Sequence, residues 1–102
     1  MFVILDGAGT LRLGGADHPV KVGDVIACPA GGPETAHQLV NTGEVELRYL
    51  AISTMLTPEV MEYPDSGKFV DISGSAPGGD KAVRRLWYVG RAEAGLDYYD
   101  GE

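Results

Sequence analysis

The sequence predicts an all-β domain of short strands, and three observations carry that expectation. Fifteen glycines and six prolines in 102 residues supply turn residues throughout the chain. Between the turns lie runs such as Thr10-Leu11-Arg12-Leu13 and Val45-Glu46-Leu47-Arg48-Tyr49, which alternate apolar and polar as half-buried strands do. Before residue 56 about six such runs follow one another at regular short spacing, the rhythm of a sandwich or barrel.

Phe2 to Asp6 is β-branched and aromatic, and Gly7-Ala8-Gly9 turns it into the strand Thr10 to Leu13. Gly14-Gly15-Ala16-Asp17 reads as the next turn. The short strand His18 to Val22 follows, and Pro19, which has no N–H for a ladder, confines it to an edge or to its first residues. His18, beside the turn, reads as a solvated loop histidine. Gly23-Asp24 reads as a tight turn, because glycine supplies positive φ and aspartate can bond nearby backbone. Val25 to Cys28 is an apolar strand that Pro29 ends.

The loop Ala30 to Glu34 holds Gly31, Gly32 and Pro33, and it leads into a strand, His37 to Val40, closed by Asn41-Thr42-Gly43. Alternation puts His37, Leu39 and Asn41 on one face. Val45 to Met55 reads as the longest strand. From Tyr49 onward both its faces are apolar or small, which predicts cover on both sides.

The C-terminal part changes character. Thr57-Pro58-Glu59 reads as a helix start, with Thr57 as N-cap and Pro58 in the first turn, stopped by Pro64. Lys68 to Ile72 reads as a strand and Ser73 to Asp80 as a flexible linker. Val83 to Val89 fits either a strand or a short helix. The acidic, aromatic tail Leu96 to Glu102 suggests that the ends are tied down, with Trp87, Tyr98 and Tyr99 packed against the barrel or a partner chain.

A net charge of −7 argues against a nucleic-acid partner and against an anionic membrane surface. No apolar run reaches the roughly 18 residues of a spanning helix, and the N-terminus lacks the basic segment and cleavage site of a signal peptide. A single cysteine forms no internal disulfide, which fits a cytoplasmic location. Cys28 itself reads as a packed small hydrophobe. Phosphate-cradling, nucleophile-elbow and paired-cysteine motifs are absent.

Gly23, Pro29, Gly31, His37 and Asn41 together resemble the second motif of the cupin superfamily, with a longer gap between Gly31 and His37 than its simplest form. Met1 to Gly7 is similar to the end of the first motif, whose two histidines and glutamate have no counterpart here. Glu59 to Lys68, and the ending, are similar to a group of small bacterial cupins. The resemblance implies a cupin-type β-barrel or jelly roll, N-terminally truncated. It implies one domain over residues 1–102, with a core barrel at about 2–72 and an irregular extension at about 73–102.

By that resemblance His37 holds the position of the last metal ligand, for iron, manganese, nickel or zinc. One imidazole does not hold a divalent cation tightly, and Glu34 reads as a solvated loop charge. The first functional reading is therefore a barrel mouth around His37, Tyr49 and Met55 that binds a small polar molecule. The alternative is a metal-dependent enzyme, of the dioxygenase or sugar-isomerase type, whose missing ligands come from a longer product or a partner chain. A purely structural role is the third. The resemblance also implies a homodimer, with Phe2 to Leu5 and strand 49–55 near the interface.

Overall fold

The computed structural model describes residues 1–102. The chain divides into two compact units, Met1–Thr54 and Met55–Glu102. In the first, β1 (Phe2–Asp6), β2 (Ala8–Leu13), β3 (Ala16–Lys21), β4 (Val25–Ile26), β5 (His37–Val40) and β6 (Arg48–Ala51) follow one another. They form two antiparallel three-stranded sheets, ordered β4-β1-β6 and β3-β2-β5, and neither closes into a barrel.

Register decides which side chains meet, because residues directly opposite on neighbouring strands share a face. In the first sheet Phe2 lies opposite Ile26 and Ala51, and Ile4 opposite Tyr49, so these share one face. In the second, Leu11 lies between His18 and Leu39, and Leu13 between Ala16 and His37. The buried cluster Ile4, Leu11 and Val20 draws from both sheets, and Leu13, Ile26, Leu39 and Leu47 pack on it.

The Gly23-Asp24 turn sits where the sequence placed it. The turns expected over Gly7 to Gly9 and Gly14 to Asp17 are shorter, because Ala8 and Gly9 are in β2 and Ala16 and Asp17 in β3. Gly23 has φ +90°, and Asp24 Oδ2 accepts the Lys21 N–H at 2.8 Å. Gly7, at φ +78°, passes so close to the Glu46 carbonyl that a Cβ would sit 2.5 Å from its oxygen. Pro19 lies on β3, an edge strand, where its missing N–H costs no ladder bond.

Three further expectations for this unit change. His18 is in strand β3 rather than in a loop, though it is exposed. The strand expected over Val25 to Cys28 is only Val25–Ile26, and Cys28 is half-buried beyond it. The long strand shrinks to Arg48–Ala51. Asn41 ties down Val45 through a 2.9 Å bond from Nδ2 to its carbonyl, and the left-handed φ of +58° at Met55 breaks extended backbone at the other end. Nor is this strand covered on both sides, since Tyr49, Leu50 and Ile52 are each about half exposed.

The second unit holds β7 (Glu59–Tyr63), β8 (Lys68–Ser73) and β9 (Leu86–Gly90) in one antiparallel sheet, ordered β7-β8-β9. The expected helix start is thus strand β7. Five residues between Pro58 and Pro64 cannot repay helix nucleation, whereas every residue of β7 finds a partner on β8. Pro64 to Gly67 makes the hairpin turn, with Gly67 at φ +63°. Val70 and Ile72 on the central strand are buried.

The linker reading fails as well. Ser75 and Ala76 are buried, the Gly79 N–H donates to the Ala76 carbonyl, and Asp80 caps a 3₁₀ turn at Lys81–Val83. Of the two readings for Val83 to Val89, the strand holds from Leu86. The N-terminus is tied down, with bonds between Met1 and Ile52 in both directions. Tyr98 and Tyr99, by contrast, are largely exposed, and Trp87 is half exposed with the Arg84 guanidinium over its ring.

Ile4→Ala should destabilise the first unit by about 2–5 kcal/mol, through lost burial and a residual cavity. Val22→Ala, at an exposed site in the turn after β3, should stay within about 0.5 kcal/mol. Denaturant unfolding of both variants checks the contrast.

Candidate functional site

The local sequence explains how His37 is presented. Gly31 and Gly32 admit a tight approach: a Cβ on Gly31 would meet Thr35 Cγ2 at 2.6 Å. A 3₁₀ turn at Pro33–Thr35 then reverses the chain, and the Thr35 hydroxyl donates to the Gly32 carbonyl at 2.8 Å. His37 is the first residue of β5 and so lies at the rim of the inner face, opposite Leu13.

Across from it stands Phe2, on the same inner face of the other sheet. The Phe2 and His37 rings meet edge-on with centroids 5.8 Å apart. Phe2 and Tyr49 meet edge-on at 5.5 Å. This gives a chain of three rings, Tyr49–Phe2–His37, in the T-shaped geometry that aromatic quadrupoles favour. His37 and Tyr49 are exposed, and Phe2 is half-buried. Beneath the rings lie the buried Ile4 and Leu11.

The imidazole Nδ1 sits 3.4 Å from the Thr35 carbonyl oxygen. A carbonyl only accepts, so in this contact Nδ1 is the side that can donate. Asn41, which also belongs to the motif, is structural. Its side chain accepts the Gly43 N–H and donates to Val45, closing the turn after β5.

Of the three residues expected at the mouth, the first unit brings His37 and Tyr49 together through Phe2. Met55 belongs to the second unit, where its side chain lies near Gly79. Phe2, expected near a dimer interface, is the ring that joins His37 and Tyr49. Its signal was the alternation that sets Phe2 on the face of Ile4.

The residues do not fit a divalent metal. No group of three or more His, Cys, Asp or Glu side chains in the chain could hold an ion, and the surroundings of His37 are a carbonyl and an aromatic ring. Arg12 and Lys21 lie on the register positions facing away from the inner layer. No helix is long and apolar enough to cross a membrane.

The sequence pattern of the cupin domain matches residues 1–53, just over half of the chain. The chain belongs to the cupin family. Among curated proteins, an oxalate-binding protein from Thermotoga maritima is 36% identical over 56 residues, which are 55% of this chain. The aligned part spans 44% of that relative's length. No solved structure matches.

Because His37 lacks companion donors, His37→Ala should leave the metal content of the purified protein unchanged by elemental analysis. A fall in metal on substitution would show that the imidazole is a ligand.

Proposed function

We propose that this cupin binds a small polar molecule at the rim of the first unit's inner face. His37 is the polar contact, and Phe2 and Tyr49 form the aromatic wall. The observation that carries this reading is the three-ring chain, with His37 and Tyr49 exposed and Phe2 half-buried, beside a buried apolar layer, since ligand sites pair an apolar wall with a few placed polar groups. The donor set supports binding rather than metal chemistry. The relative whose name records oxalate binding supports a small carboxylate as the first probe.

The same reading includes a homodimer. Val25, Val3 and Leu50 lie in one row across the outer face of β4-β1-β6. Val25, Leu50 and the nearby Leu5 are about half exposed or more. An apolar stripe of this kind on a sheet with open edges favours association.

Isothermal titration with oxalate and a panel of small neutral and anionic polar molecules tests the site. At least one should bind, with affinity falling about tenfold or more in His37→Ala and in Tyr49→Ala. Binding that neither substitution alters would place the ligand elsewhere. For the dimer, light scattering at micromolar concentration should return twice the chain mass, and a monomeric mass would remove it.

A further inference from the structure

We propose that the aromatic, acidic tail of one copy docks on the basic edge strand of the second unit in another copy. The chain carries eight Lys and Arg residues in all, and four of them, Lys81, Arg84, Arg85 and Arg91, fall between residues 81 and 91 without an intervening acid. The other four, Arg12, Lys21, Arg48 and Lys68, are scattered. On a surface of net charge −7, this segment is the place where an acidic partner is attracted rather than repelled.

The segment contains β9, an outer strand of its sheet, so one side of it has no neighbouring strand. Leu86, Trp87 and Val89 on it are about half exposed. Arg84 lies over the Trp87 ring, 4.4 Å from its centroid, and its Nε is buried with no hydrogen-bond partner. The strand therefore offers apolar surface, a fixed guanidinium and an unpaired edge together.

The tail is the complement. Leu96, Tyr98 and Tyr99 are 81%, 85% and 75% exposed, the highest values among the chain's large hydrophobics. They alternate with Asp97 and Asp100, and Glu102 follows. The tail is also shaped: Asp97 Oδ1 accepts the Tyr99 N–H at 2.9 Å, the Asp97 carbonyl accepts the Asp100 N–H, and the two tyrosine rings meet edge-on at 5.0 Å. Aromatic side chains held this way lose little entropy on docking, which suits them as anchors. Both halves of the pair reside on one chain, so a second copy supplies the partner.

Trp87 is the only tryptophan, and its emission reads the docking directly. With the full chain, the emission should shift to the blue as concentration rises and return on dilution. A Tyr98→Ser, Tyr99→Ser variant should show no shift, and a synthetic peptide of residues 95–102 should restore it in trans. Arg84→Glu with Arg85→Glu should weaken the peptide about tenfold or more. Circular dichroism checks the fold of that variant. Added salt weakening the peptide on the tyrosine variant gives the same discrimination without touching the arginines.

Emission that ignores both concentration and peptide overturns the proposal. So does a tail-dependent shift that is independent of concentration, which would mean that the tail folds onto its own sheet, and so does peptide affinity indifferent to both salt and the arginines. The peptide measurement stands apart from the ring site and from any association through β1 and β6, so its failure leaves the proposed function untouched.

Discussion

The contact of Ile4 with Leu11 and Val20 is the constraint on which the first unit depends. It is the only fully buried cluster there, and it joins side chains from two sheets that share no ladder. Burial of these three residues supplies the driving force that holds the sheets face to face. The same contact sets the rim, because Phe2 is two residues from Ile4 on the same face and His37 stands opposite Leu13, two residues from Leu11. Without the core the three rings would not meet.

This arrangement separates two uses of the cupin motif. Gly23, Gly31 and Asn41 build backbone: one takes a left-handed turn, one makes room for Thr35, and one closes the loop after β5. Only His37 reaches the rim with chemistry to offer. Metal chemistry needs several donors converging on one point, and no group of three or more such side chains is present here.

The second unit is organised differently. Its central strand buries Val70 and Ile72, while the edge strand β9 carries exposed aromatic and cationic groups. Most of its surface chemistry is concentrated in β9 and the tail, the two segments with the clearest charge contrast in the sequence. An acidic molecule that gathers half of its cations in one short stretch has a directional surface.

The turns and the all-β class were legible in the sequence by itself, because a turn is a local matter. Gly23 relieves the strain of positive φ wherever it stands, and Pro19 cannot sit in a central strand. His37 at the start of its strand was legible for the same reason. Tertiary structure decided what depends on distant partners. Glu59 to Tyr63 becomes a strand because β8 lies alongside, and Ser75 and Ala76, polar and small in a glycine-rich stretch, are ordered by what packs on them. Phe2, His37 and Tyr49 lie far apart in the chain and converge only through the pairing of β1 with β6 and the core between the sheets. Pairing of that kind is set by burial summed over many residues, which no short window of sequence contains.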